Sequence, residues 1–210
     1  RAVAGELADS VEARYRSAFD VPTAEAVLGK LVDAHGDAAM AADLIRRVND
    51  PIHRAKQFMP HPLARTLRVY QTHTRADSPA EAYRDLLRFS ESAIVLLGAV
   101  GLAYLDSRDD TELPNEWTTK LTTSGVSLGT WLAAANTGAE AARRAGEGLG
   151  GIARALTTKS PLNDHLGFFL ERRNDDSHGA GPRSPFEFEQ AVSALEERLY
   201  DLIQELSPLA

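Results

Sequence analysis

At 210 residues the chain is long enough for one large or two small domains, and 43% hydrophobic with 25% charged residues excludes a disordered or membrane-embedded protein. It has no cysteine, which excludes disulfides and thiolate metal sites and agrees with a cytoplasmic protein. A formal net charge of −7 argues against a surface coated for nucleic acid, but the charge is uneven: between Leu44 and Ala76 seven Lys or Arg stand against the single acid Asp50.

The first residues lack a basic start followed by an apolar block, so no signal peptide is expected. The longest apolar run, Ala93 to Leu105, is too short to span a bilayer and reads as a buried helix segment. The chain opens on Arg1 rather than Met, and we expect it to be a piece of a longer protein.

In chain order, helical apolar spacing runs over Gly5 to Phe19 (Leu7, Val11, Tyr15, Ala18), and Thr23 can cap a second helix carrying Ala26, Val27, Leu31 and Val32. A short third helix covers Ala38 to Val48, before Asn49-Asp50-Pro51. Met59-Pro60-His61-Pro62 is a break, because two prolines so close do not sit inside a helix, and Leu63 to Tyr70 adds one or two turns.

Ser78-Pro79-Ala80-Glu81 reads as a capping serine, a first-turn proline and a reciprocating glutamate. The helix it opens is expected to reach about Asp106, with Tyr83, Leu86, Leu87, Ile94, Leu97, Gly101 and Tyr104 on one face. Gly98 and Gly101 weaken it locally and let a neighbouring backbone come close.

Ser127 to Ala145 is the next helix, with Leu128, Trp131, Leu132, Ala135 and Ala142 inward. Ser160-Pro161 starts another, whose stripe of Leu162, Leu166 and Phe169 continues by rhythm to Arg173. Ser184-Pro185-Phe186-Glu187 repeats the capping box and launches a last helix with Phe188, Val192, Leu195, Leu199, Leu202 and Leu206 as its seam. No stretch alternates like a strand. The expected fold is all-α, a four-helix core from about Ser78 to Leu206, with 1–77 as an N-terminal helical segment and 78–210 as the domain.

Several motifs fail on context. Gly146-Glu147-Gly148-Leu149-Gly150-Gly151 matches a dinucleotide fingerprint, yet a helix precedes it and no sheet surrounds it, so it reads as a loop. Gly29-Lys30 lacks the upstream glycine of a phosphate loop. The six histidines form no HExxH pair, and no acids and histidines have metal spacing, so no metal and no cofactor are expected. The basic stretch holding Arg46, Arg47, Arg54 and Lys56 is either a solvated helix face, the reading we favour, or a phosphate-contacting surface.

The densest chemistry lies in Arg172-Arg173-Asn174-Asp175-Asp176-Ser177-His178-Gly179. Arg173 continues an apolar stripe, so its guanidinium points toward the core or a partner and requires a compensating group. Asn174 and His178 share a face if the helix persists. Arg173 and His178, five apart, stand about 140° around an ideal helix. They converge only if the helix unwinds near Asp175-Asp176, or are bridged by a substrate or second subunit. A purely structural reading is also open: a polar helix end, with His178 on the helix dipole and Arg173 paired to an acid.

The pattern arginine, asparagine, three residues, histidine, placed late in a bundle helix with one long helix to follow, resembles the signature of the HEPN superfamily, in particular its bacterial defence and abortive-infection branches. The resemblance covers roughly Ser78 to Leu206. It implies a metal-independent endoribonuclease, homodimeric, acting in the cytoplasm on RNA as the effector of an antiphage or toxin system. A sensor, antitoxin or fused domain would restrain it. It further implies His178 as general acid/base, Arg173 as phosphate and transition-state binder and Asn174 as positioning residue; Arg172 beside them is a candidate RNA contact, with Arg46, Arg47, Arg54 and Lys56. The products would carry 2′,3′-cyclic phosphate and 5′-hydroxyl ends. The alternative is a non-catalytic helical module that dimerises, docks a partner or binds a nucleotide.

Overall fold

The computed structural model describes residues 50–108, 117, 119–120, 123, 125–146, 156 and 160–209. Among them stand six α-helices and a closing 3-10 turn, with no strand, so the described part of the chain is all-α. The helices expected over Gly5 to Phe19, after Thr23 and over Ala38 to Val48 lie outside the described residues, as does the glycine-rich stretch after Gly146.

Contacts divide the chain into Arg1–Phe58 and Met59–Ala210. In the first unit the described helix is α1 (Pro51–Phe58), a stretch to which the sequence reading assigned no element, and it ends just before the expected break at Met59-Pro60-His61-Pro62. Its start follows from two residues: Asp50 accepts the Ile52 N–H at 2.9 Å through Oδ1, and Pro51 occupies the first turn, where its missing N–H is not needed.

The second unit contains α2 (His61–Arg75), α3 (Pro79–Asp106), α4 (Leu128–Arg144), α5 (Pro161–Ser177) and α6 (Pro185–Glu205), closed by the 3-10 turn Ser207–Leu209. α2 is longer than the expected one or two turns, because Pro62 falls in its first turn and does not interrupt it. The sequence division at 77/78 falls between α2 and α3, and these two helices pack on each other.

Their connection shows why one start signal behaved differently from expectation. Asp77 takes a positive φ of 53°, its N–H donates to the Thr74 carbonyl, and the Ser78 N–H donates to the His73 carbonyl. That is a Schellman end for α2. Because it uses the Ser78 N–H, Glu81 has nothing to reciprocate, the Ser78 capping box does not form, and Glu81 pairs with Arg84 instead.

α3 is the centre, touching α2, α4, α5 and α6. Leu86, Phe89, Ala93 and Ile94 on it are fully buried, and the helices packed on it bury Leu63, Leu67 and Tyr70 of α2, Leu162, Leu166 and Phe169 of α5, and Leu195, Leu199 and Leu202 of α6. Each such side chain contributes roughly 1.5–3 kcal/mol of burial. By length and composition α3 is apolar enough to cross a membrane, which the run Ala93 to Leu105 alone is not, and in this fold half of that apolar window is buried.

α4 buries only part of its expected face: Ala135 and Ala142 are inward, as the sequence reading has them. Leu128, Trp131 and Leu132 are only half-buried, and the buried face is Ala134, Ala135, Gly138, Ala139 and Ala142. The backbones of α3 and α4 approach so closely that only small residues fit: a Cβ on Gly101 would lie 2.6 Å from the Ala134 carbonyl oxygen. Gly98 lies beneath the half-buried Trp131, whose ring meets Trp117 edge-on at 5.2 Å.

α6 opens with the expected capping box in full. Ser184 Oγ accepts the Glu187 N–H, and Glu187 Oε2 accepts the N–H groups of Ser184 at 3.0 Å and Arg183 at 2.8 Å. These bonds, the one from Arg183 first, hold the Glu187 carboxyl below its ordinary 4.5. A depressed folded-state value means the contribution is complete above the unfolded value and is lost as pH falls through the folded one. Glu187→Gln is therefore expected to flatten the acid limb of stability against pH below about 4.5, with little change near neutrality in the pH dependence itself. Denaturant unfolding across pH 3 to 7 (roughly the carboxylate range) measures it, and an unchanged acid limb would refute the linkage.

Candidate functional site

α5 remains a regular helix through Ser177, and no unwinding occurs at Asp175-Asp176. His178 is its C-cap, with its N–H on the Asn174 carbonyl at 3.0 Å. Gly179, at φ 78°, donates to the Asp176 carbonyl, and Ala180 donates to that of Asp175 at 2.8 Å, a second Schellman end. The positive φ explains the glycine, and the motif turns the chain back toward α6.

Arg173 and His178 consequently do not converge within one chain. They keep a separation of about 140° around the helix axis. Asn174 and His178 do share a face, and both are exposed.

Arg173 finds its compensating acid. Its Nε donates to Glu91 Oε1 of α3 at 2.8 Å and its Nη1 to Ser177 Oγ at 3.3 Å, while Ser177 Oγ donates to the Asn174 carbonyl. The two charged side chains are 41% and 34% exposed. The stripe of Leu162, Leu166 and Phe169 thus ends not in a buried charge but in a half-exposed ion pair at the rim of the bundle. An exposed pair of this kind contributes about 0–1 kcal/mol. Its main effect is to fix the direction of the guanidinium. Glu91 escaped the sequence reading, though it is the last charged residue of α3 before the apolar run to Leu105, a place where a carboxylate calls for a cation.

Adjacent residues on α5 face different hollows. Arg173 borders a groove of about 500 Å³ with Glu91, Val95, Leu96 and Ala99 of α3 and Leu128 of α4. Arg172 lines a cleft of about 570 Å³ on the other side, with Asp175, Tyr83 of α3, Arg183 and Gln190. Arg172 also lies over the Phe168 ring at 5.4 Å, and Arg198 of α6 lies over the same ring at 5.2 Å. Asp176 is pressed against the returning loop, where a Cβ on Gly181 would meet its Oδ1 at 2.4 Å.

Of the basic stretch, Arg46 and Arg47 lie outside the described residues, and Arg54 and Lys56 are half-buried on α1. On α2, His61, Arg65, Arg68 and Arg75 form the exposed side of an amphipathic helix whose other side is buried Leu63, Leu67 and Tyr70. His73 is turned inward instead: its Nδ1 lies 2.5 Å from Oδ2 of Asp85, an acid only 2% exposed that Arg88 also contacts at 3.0 Å. Tyr70 donates to Glu196 of α6, and burial, reinforced by that carboxylate, pushes its phenol up. Both contacts tie the bundle together. Among the described residues no three His, Asp or Glu side chains cluster as metal ligands.

Protein-family models, curated proteins and solved structures each return no match to this chain.

Proposed function

We propose that the chain is a HEPN-like endoribonuclease domain whose site is built on Arg173, Asn174 and His178, with α3 to α6 as the four-helix core. The observation that carries the reading is the presentation of Arg173. Of the five N–H donors of a guanidinium, Glu91 and Ser177 engage two, and among the described residues nothing engages the other three, which can meet a phosphate. The group is held in direction yet open to solvent, which suits an electrostatic binder of charge developing in a transition state.

The chemistry follows from the residue types. RNA supplies its own nucleophile, the 2′-hydroxyl. Its oxygen attacks the adjacent phosphorus while the bond to the 5′ oxygen breaks, leaving a 2′,3′-cyclic phosphate and a 5′-hydroxyl. An imidazole ring nitrogen can both accept and donate a proton, so His178 can take the proton of the attacking hydroxyl or give one to the leaving oxygen. Asn174, on the His178 face, positions the substrate. Since Arg173 and His178 diverge around α5, the reading requires RNA to cross the helix end, or a second copy to supply the opposite half of a dimeric site. Restraint by a partner or a fused domain belongs to the same proposal.

The test is cleavage of RNA by the purified protein in EDTA, with end-group analysis. Cutting that yields cyclic-phosphate and 5′-hydroxyl ends is the expected result, and cutting that requires added metal or leaves 3′-hydroxyl ends contradicts the mechanism.

A second reading has its own observation. The groove beside Arg173 is mostly apolar, lined by Val95, Leu96, Ala99 and Leu128, and Arg173 is already paired. That favours a non-catalytic module that docks a helix or dimerises through α3. The same assay separates the two, because a docking module leaves RNA intact.

A further inference from the structure

The cleft on the Arg172 side of α5 is not used by the chemistry above, and its lining is unusual for a helix end. Tyr83 forms part of it while only 2% exposed, and among the described residues its hydroxyl has no hydrogen-bond partner. Its ring is fixed edge-on against Phe188 at 5.6 Å. Burial raises the phenol above its ordinary value, Asp176 and Asp175 add to this, and Arg172 opposes it, so the hydroxyl stays a donor. The Asp175 carboxylate likewise has no partner among the described residues, and it faces the same space.

The other charges are committed. Glu187 Oε2 holds two backbone N–H groups of the α6 cap, and the Arg183 guanidinium donates to the Gly179 carbonyl. What remains for a ligand is one carboxylate acceptor, the edge of a guanidinium stacked on Phe168, one neutral hydroxyl donor, the Gln190 amide and an apolar wall ending at Leu195. Two cations, Arg172 and Arg183, face two acids, Asp175 and Glu187, so the cleft is electrically balanced and unsuited to a bare phosphate. At about 570 Å³ it is in the range of small-molecule sites.

We infer that this cleft is a guanine-binding pocket. A carboxylate acceptor is matched by the adjacent N1–H and N2–H donors of guanine, which adenine lacks. The opposite edge, O6 and N7, is the acceptor pair that arginine and other donors read. Adenine and cytosine would put a ring-nitrogen acceptor against Asp175, and uracil offers one N–H between two carbonyls. Asp175 accepts from the Watson–Crick edge, and Arg172 and the Tyr83 hydroxyl serve O6 and N7. The guanine could belong to a free nucleotide or to RNA. Assigning it to RNA, as the base recognised one helix face away from Arg173, rests on the ribonuclease reading, whereas the binding of guanine does not.

Two arms test this on the full chain. In the first, guanosine 5′-monophosphate and adenosine 5′-monophosphate are titrated into the protein by NMR, following the Gly179 and Gly181 amides. The guanosine nucleotide is expected to bind at least about fivefold more tightly, the lower end of what one bidentate base contact gives. Asp175→Asn should remove that preference, and Tyr83→Phe should weaken guanosine binding with the ring still in place. Equal binding of the two nucleotides, or a preference untouched by Asp175→Asn, overturns the pocket. The second arm maps cuts in an RNA containing all four bases, in wild type and Asp175→Asn. A guanine bias that Asp175→Asn erases assigns the base to RNA, and unbiased cutting with intact nucleotide preference assigns it to a free nucleotide. Nucleotide preference without any RNA cutting sustains the pocket and counts against the ribonuclease.

Discussion

His178→Ala is expected to lower RNA cleavage by about 10²–10⁴-fold, the range a general acid/base contributes, without unfolding the protein. The second half of that statement makes the first informative. His178 is exposed at the C-cap of α5, where the end of the helix is held by backbone bonds from Gly179 and Ala180 rather than by the imidazole. Losing the side chain removes at most a helix-dipole interaction of about 0.3–1 kcal/mol.

Arg173→Ala belongs beside it. Removing one electrostatic stabiliser of the transition state costs about 10²–10³-fold, while the half-exposed Glu91 pair contributes only about 0–1 kcal/mol to stability. Cleavage rates measured alongside melting curves check both. Wild-type cutting that persists at an unchanged rate in either variant would remove that residue from the mechanism. If instead Arg173→Ala lost activity only in proportion to folded protein, Arg173 would be a structural clasp and the docking reading would gain.

Much of the second unit was legible because local signals and global packing agree there. Ser160, Ser127 and Ser184 each cap the helix assigned to them, and the stripes of α5 and α6 are buried from Leu162 to Phe169 and from Leu195 to Leu206. The misses have physical causes that a linear pattern does not carry. Ser78 is a good cap by type, but the Schellman end of α2 had already taken its N–H. Leu128, Trp131 and Leu132 have the spacing of a core face, yet α4 turns its glycine and alanines to α3 because the backbones nearly touch.

At the site, the need of Arg173 for a compensating partner was readable, while the identity of Glu91, 82 positions earlier, was set by tertiary packing. The cleft on the Arg172 face was hidden for a different reason. Tyr83 has the periodicity of a core residue and is one, and what distinguishes it is a hydroxyl with no partner among the described residues.

The close approach of α3 and α4 gives the second large expectation. Gly138→Ala should destabilise the domain by about 2 kcal/mol, lowering Tm by roughly 4–8 °C. A Cβ there would stand 2.4 Å from Gly101 Cα and 2.6 Å from its carbonyl oxygen. Both are helix backbone atoms, so no rotamer change relieves the clash and the two helices must part. Overpacking of this kind costs about 1–3 kcal/mol, and the rigidity of the contact puts it at the upper end. Against it stands a gain of only about 0.5–1 kcal/mol from replacing a helical glycine by alanine.

Gly167→Ala isolates that gain. Gly167 is also inside a helix, but nothing lies within 4 Å of a Cβ built on it, so the same substitution should stabilise by about 0.5–1 kcal/mol. Denaturant unfolding of the two variants therefore predicts opposite signs from one chemical change. A Gly138→Ala protein as stable as wild type would mean that α3 and α4 separate at no cost, and close packing would not be what sets their distance. The consequence reaches the site, because the groove beside Arg173 has Glu91 and Val95 on one wall and Leu128 on the other, and those walls belong to the two helices that Gly138 holds together. Parting them widens the groove while leaving Arg173 and Glu91 in place, so the variant should lose partner or RNA affinity at the groove before it loses the ion pair.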